Sequence, residues 1–282
     1  VSSKQVEQDF SKPFRWTMMQ LMMGVGVGFD TKGQGKVRLD KPDMSDEPHV
    51  VHDSKEGWVN LIARLLDSYV GKQTKPSGVD YSQIRPKGAE ISRFGGKAPG
   101  PEPLKKCYRT LDDLCQRYQN EKVDAEFIVD AFDIIARCVV SGGIRRSAMI
   151  ALGQADNEQY LDLKEDQEKV SEYRWAANHS VFAQVGMDYE DVIERTQNTG
   201  EPGFVWLDNA RQYGRMKDDL DGADYRVEGV NPCKPKYATI LTPKGYITFE
   251  DALELEEFDV ITPDGDTVEA TAAVRLSAEP LV

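Results

Sequence analysis

The sequence predicts an α/β fold followed by a small all-β segment. Three observations carry this reading. Through residues 1–232, stretches with apolar residues at helical spacing alternate with short apolar, β-branched runs. After Cys233 that alternation stops. Short apolar runs follow, cut by Pro243-Lys244-Gly245 and Pro263-Asp264-Gly265, which supply a fixed φ and then a position open to φ > 0. The chain has 282 residues, 40% of them apolar, enough for one large domain or two ordinary ones with a real core. The change of texture falls at Glu228-Gly229-Val230-Asn231-Pro232-Cys233. We read it as a seam where two proteins, 1–232 and 233–282, meet.

Taken in order, residues 10–23 are rich in Phe, Trp, Leu and Met and read as a buried or amphipathic helix. Gly24-Val25-Gly26-Val27-Gly28-Phe29 ends it. Alternating glycines let backbone approach a ligand closely, but they follow a helix here rather than a strand, so a tight turn is the plainer reading. Residues 30–53 are polar and read as an exposed loop or insertion. Asp53-Ser54-Lys55-Glu56 starts a helix whose stripe is Trp58, Leu61, Ile62, Leu65, Leu66 and Tyr69, and Gly71-Lys72 closes it. Residues 87–101 form a loop dense in Gly, Pro, Lys and Arg. Bare N–H groups and cations could hold a polyphosphate there, and composition fits an ordinary surface loop equally well. Helices are predicted at 104–118 and 124–140, the second capped by Asp124. A strand at 144–152 carries Arg145 and Arg146, which point to opposite faces. A helix over 159–172, a strand near Val181, a helix over 188–199 and a strand at 204–207 complete the alternation, and 208–224 is polar.

The bulk composition excludes several classes. With 35 basic and 48 acidic residues the net charge is −13, which argues against direct nucleic-acid binding. No apolar run approaches the ~18 residues of a membrane span. The absence of an initiator Met leads us to expect a fragment or a processed product. The four cysteines, Cys107, Cys115, Cys138 and Cys233, form no C-x-x-C pair, and the three histidines make no zinc spacing with them. A reducing cytoplasm follows as the expected compartment. Cys107, Cys115 and Cys138 read as buried small hydrophobes.

Several stretches together resemble the adenosylcobalamin-dependent (class II) ribonucleoside-triphosphate reductases. They are Met22-Met23-Gly24-Val25-Gly26-Val27-Gly28-Phe29, Lys55-Glu56-Gly57-Trp58-Val59, Ile84-Arg85-Pro86-Lys87-Gly88-Ala89-Glu90-Ile91, and Phe94-Gly95-Gly96 with Gly100-Pro101. Ile144-Arg145-Arg146-Ser147-Ala148, Asp166-Gln167-Glu168-Lys169, Arg174-Trp175-Ala176, Gly200-Glu201-Pro202-Gly203 and the Asn231-Pro232-Cys233 stretch continue the match. The resemblance implies part of a ten-stranded α/β barrel with a central finger loop tipped by Asn-Pro-Cys-Gly-Glu. It implies a cysteine thiyl, generated with adenosylcobalamin, that removes the ribose 3′-hydrogen in a closed, dry site. Asn231 would hold a ribose hydroxyl and Cys233 would stand at the thiyl position. Gly24, Val25 and Gly26 would lie against substrate. Arg93, Phe94, Gly95, Gly96, Lys97, Ala98, Pro99, Gly100 and Pro101 would form the loop coupling effector to substrate. Residues 30–83 look like the insertion that builds the effector site in monomeric members. The implied partners are a ribonucleoside triphosphate substrate, a deoxynucleoside triphosphate effector and a thioredoxin-type reductant.

The chain departs from that family where it matters. Lys234-Pro235 stands where Gly-Glu is needed, and proline cannot act as a base. The redox cysteine pair and most of the barrel are also missing, so the chain alone is expected to be inactive. Residues from Cys233 onward resemble the N-terminal splicing block of an intein: Cys233, Thr239-Ile240-Leu241-Thr242-Pro243-Lys244-Gly245-Tyr246, and Asp259-Val260-Ile261-Thr262-Pro263-Asp264-Gly265. That implies Cys233 as the intein nucleophile, attacking the Pro232 carbonyl. The reductase's own thiyl cysteine and the intein's closing His-Asn would lie beyond Val282. A reading from another class is a non-catalytic nucleotide-binding regulatory module with a β appendage. The downstream reading frame discriminates: a His-Asn junction followed by Cys-Gly-Glu fits only the first.

Overall fold

The computed structural model describes residues 1–90, 97–141, 148–213, 224–232, 239–248, 252, 255, 258–261 and 267–270. The chain divides into two compact units, Val1–Pro232 and Cys233–Val282, at the same bond where the sequence changes texture.

The first unit is built around a long helix. After α1 (Lys12–Met22), which has Pro13 in its first turn where a missing N–H costs nothing, the chain enters strand β1 (Val27–Asp30). This strand runs through the glycine-rich stretch read above as a turn. Its signal was the alternation of Val27 and Phe29, both buried, with Gly28. The turn itself is shorter, with Gly24 at φ +82°. A two-stranded parallel pair, β2 (His49–Val50) and β3 (Val79–Asp80), flanks α2 (Lys55–Ser68). Ser54 caps α2 by accepting from Gly57 N at 2.9 Å, and Gly71 at φ +69° follows its end. The 30–53 stretch is less exposed than expected, because Leu39 and Val51 are fully buried.

Helix α3 (Glu102–Arg117) buries Leu104, Cys107, Leu111, Leu114 and Cys115, one face at 3–4 residue spacing. Helix α4 (Ala125–Val140) is capped by Asp124, which accepts from Phe127 N at 2.8 Å. It is buried on nearly every side, because α1, α3 and the main sheet all pack on it. Phe132 stacks on Phe29 at 4.1 Å and lies 4.7 Å from Phe14, tying α4 to β1 and α1. Cys107, Cys115 and Cys138 are all buried, and burial pushes the Cys115 thiol up.

The main sheet has the order β1-β4-β5-β6 and is parallel throughout, with β4 (Met149–Gln154), β5 (Ala177–Ala183) and β6 (Gly203–Trp206). Parallel strands need crossovers, and helices supply them. The β4–β5 crossover is not the single helix expected over 159–172. It is α5 (Glu158–Leu161), a 3₁₀ turn and α6 (Gln167–Glu172). The break has a cause: Asp166 caps a new helix, and Lys164 turns inward to donate to Arg174 O and Ala177 O at 2.6 and 2.8 Å. Helix α7 (Glu190–Thr199) joins β5 to β6, and α8 (Leu207–Tyr213) occupies the start of the stretch read as merely polar. The expected strand at 144–152 starts at Met149, and Arg145 and Arg146 lie outside the described residues.

In the second unit, β7 (Thr239–Thr242) pairs with β8 (Gly245–Thr248) as an antiparallel hairpin around Pro243-Lys244, and Gly245 adopts φ +110°. Strand β9 (Phe258–Ile261) pairs antiparallel with β10 (Thr267–Ala270).

Candidate functional site

The pleat of the main sheet separates two faces. Val27, Phe29, Met149, Ala151, Ala177, His179 and Val181 point to the helical side and are buried. On the other face, the register lines up Gly28, Ile150 and Asn178, which are only partly covered or exposed. Gly229 and Val230 lie on this second face. A Cβ built on Gly28 would overlap the Val230 carbonyl oxygen, and one on Gly229 would come 3.0 Å from Leu152 Cδ1. The segment is held from its start. Arg211 Nε donates to Val227 O at 2.8 Å, and Lys32 Nζ lies 3.1 Å from Glu228 Oε2. The same ammonium sits 5.3 Å from the centroid of the Phe182 ring. Its hydrogen bond first, and its charge second, hold the Glu228 carboxyl below the usual carboxylate range.

These contacts also give a direction. Glu228 meets Lys32, Gly229 faces Leu152 and Val230 covers Gly28, so the segment runs back along β1. Asn231, which is exposed, follows Val230 directly in the chain. The α1–β1 turn is where Gly24, the exposed Val25 and the buried Gly26 lie. Cys233 lies outside the described residues, as do Arg93, Phe94, Gly95 and Gly96.

The loop that carries Lys97, Ala98, Pro99, Gly100 and Pro101 has a well-defined stem. Gly88 N donates to Ala98 O at 2.9 Å and Ala98 N to Ala89 O at 2.7 Å. Gly100, at φ +76°, lets the chain pass the Lys87 backbone, which a Cβ would meet at 2.9 Å. Arg85 ties this stem to the start of α2 through Asp53 at 2.6 Å.

Sequence reasoning missed Gly28, Lys32 and Asp30 as parts of the site. Asp30 Oδ1 fixes the turn after β1 by accepting from Ser3 N, Ser3 Oγ and Lys32 N at 2.9, 2.8 and 3.1 Å. The period-two pattern of 27–30 could have revealed the strand, but nothing local reveals a partner some two hundred residues away. The face offers the Lys32 ammonium and the backbone of residues 228–230. Among the described residues, no group of His, Cys, Asp or Glu is placed to hold a metal ion, and no helix is long and apolar enough to cross a membrane.

Known proteins resemble this chain. Residues 34–115 match a family model described as the insertion domain of B12-dependent ribonucleotide reductase. The match overlaps 30–83 and runs on through the 93–101 loop and most of α3. The adenosylcobalamin-dependent ribonucleoside-triphosphate reductase of Euglena gracilis is 40% identical over 237 residues, covering 83% of this chain and 32% of the relative. The enzyme of that name from Lactobacillus leichmannii is 32% identical, covering 80% of this chain and 36% of the relative. A crystal structure of a B12-dependent (class II) ribonucleotide reductase superposes with a TM-score of 0.71 at 30% identity, over 82% of this chain and 37% of the other. The chain thus spans about a third of the length of the relatives it matches.

Proposed function

We propose that this chain, a relative of the B12-dependent ribonucleotide reductases that spans about a third of their length, is a piece of an enzyme reducing ribonucleoside triphosphates to deoxyribonucleotides. The observation that carries the reading is the seating of Gly229 and Val230, next to Asn231, on the second face of a parallel sheet whose fold matches a class II enzyme. In this reading Asn231 offers its side-chain amide to a ribose hydroxyl, and Gly24, Val25 and Gly26 form the backbone wall against which substrate lies. Residues 30–83 and the 93–101 loop belong to a deoxynucleoside triphosphate effector site. A thioredoxin-type dithiol returns the electrons, and the complete enzyme works as a monomer in the cytoplasm.

Adenosylcobalamin is the cofactor implied. The hollow beside α7 does not fit a corrin. It measures about 590 Å³ and is lined by Asp188, Tyr189, Glu190, Ile193, Glu194 and Gln197, an acidic and open surface. We derive no step through the cofactor from these residues. The decisive experiment is to express the complete reading frame that contains this chain and assay it with adenosylcobalamin, a dithiol reductant and nucleoside triphosphates. Deoxynucleotide formation is the expected result, with altered effector coupling in Arg93→Ala. Its absence from the complete protein would overturn the reading, as would robust turnover by residues 1–282 alone, which place Pro235 where a carboxylate is needed.

A second reading concerns residues 233–282 and is favoured by the position of the unit boundary at Pro232–Cys233. The relatives cover about four fifths of the chain, which is the share the first unit makes up. We infer that Cys233 is the first residue of an intein and not the reductase's thiyl cysteine. Its Sγ adds to the Pro232 carbonyl carbon, the C–N bond breaks, and the released amine keeps the proton the thiol gives up. Under splicing-competent conditions an added thiol should cleave between Pro232 and Cys233, and Cys233→Ala should abolish the cleavage. A peptide map with that bond intact would refute the assignment.

A further inference from the structure

We propose that Gly28 is a positioning residue for the Asn231 segment, the floor of a three-point cradle completed by Lys32 and Arg211. The proposal rests on the reading of Asn231 as an active-site amide. Gly28 sits inside a regular strand paired with Ile150, and no left-handed φ obliges a glycine there. What excludes a side chain is space. An added Cβ would overlap the Val230 carbonyl oxygen, stand 2.9 Å from its carbon and 3.3 Å from Ile150 Cγ2. The blocking atoms are backbone, so no rotamer change relieves the overlap; either 229–231 lifts or β1 moves. Strand β1 is poorly able to move, because Phe29 is stacked under Phe132 and Asp30 holds Ser3 and Lys32. The segment is therefore the part that yields.

The other two points act on its approach. Arg211 fixes the Val227 carbonyl, and Lys32, seated over Phe182, holds Glu228. The Lys32 pair is partly exposed, with side-chain exposures of 21% and 62%, so it tunes the seat rather than making it. Together the three points set how far Asn231 stands from the sheet. A displacement of about 1 Å in a catalytic group can cost on the order of 10²-fold in rate.

The test has two arms. In the 282-residue chain, hydrogen exchange of residues 224–232 is compared with that of β4 and β5. Gly28→Ala should speed exchange of 224–232 by about 10-fold while the sheet strands keep their protection. If Gly28→Ala fails to fold, Lys32→Gln should speed the same exchange about 3-fold, and Lys32→Arg should restore it. Exchange within twofold of wild type in the variant that folds, or no rescue by Lys32→Arg, overturns the cradle. In the complete enzyme, Gly28→Ala should lower kcat roughly 100-fold with KM for the nucleoside triphosphate within about 3-fold. Equal kcat in an active enzyme overturns the positioning role. An inactive wild-type enzyme would instead overturn the function proposed above, and the exchange arm would still decide whether the cradle exists.

Discussion

Arg174→Met should be among the most destabilising single changes in the first unit, and the structure fixes its size. Arg174 is 1% exposed and Asp130 is fully buried. The guanidinium grips the carboxylate through Nε–Oδ1 at 2.6 Å and Nη2–Oδ2 at 3.1 Å. It also donates to Leu163 O and to Glu126 Oε1, both at 2.7 Å. Tyr173 completes the shell by donating to Asp130 Oδ2 at 3.0 Å. Methionine fills the stem volume but leaves Asp130 as a buried charge with no counter-charge. Breaking one side of such a pair costs about 3–5 kcal/mol. For a unit of this size, 1 kcal/mol is worth roughly 2–4 °C, so Tm should fall by about 6–20 °C. Urea unfolding followed by far-UV circular dichroism measures the loss, and an unchanged m-value would show that the unfolded state is the same. Burial pushes the Asp130 carboxyl up even with Arg174 beside it. Without the guanidinium it rises further, so the variant's deficit should shrink as pH falls and Asp130 takes a proton. The double variant Asp130→Leu/Arg174→Met should regain most of the loss. A deficit under about 1 kcal/mol at pH 7, or a double variant no better than the single, would refute the reasoning.

Three further outcomes are expected. Gly153→Ala should cost about 1–3 kcal/mol in urea unfolding, because its Cβ would press into the buried Tyr160 ring, 2.5 Å from Cγ, and the Tyr160 hydroxyl is pinned to Ala151 O and Ser180 O. Asp124→Ala should cost about 1–2 kcal/mol, since it removes the α4 cap together with the acceptor for Tyr118 Oη at 2.7 Å. His179 is held neutral by burial first and by the Lys164 and Arg174 charges second, and it lies well below its ordinary pKa. A depressed pKa means the unfolded chain takes the proton first, so stability is full above roughly pH 6.5 and falls as the pH drops below it. His179→Leu should flatten that fall in a series of thermal melts from pH 7.5 to 5, and an unchanged slope would remove His179 as its source.

The local signals in the sequence were sufficient for most helices. Ser54 and Asp124 announce helix starts because a short polar side chain can satisfy free N–H groups next to it in the chain. The stripe of α2, the Gly71 stop and the Pro243-Lys244 turn are likewise written in neighbouring residues, and the unit boundary falls where the texture changes. Short-range chemistry determines these features, so a short window of sequence contains it. The rest depends on partners far along the chain. Strand β1 reads as a turn in the sequence because two of its four residues, Gly28 and Asp30, have no β-preference, and what keeps them there is the parallel pairing with β4 and the Ser3 hydroxyl on Asp30. The helix expected over 159–172 breaks because Lys164 finds two carbonyls in the interior. Lys32 and Glu228 lie almost two hundred residues apart, and neither carries a mark of the other until the sheet brings them within 3.1 Å. The resemblance pointed to Asn231; only the tertiary structure decided where the residues just before it lie, because a seat without a side chain is visible only when the chain that fills it is folded over it.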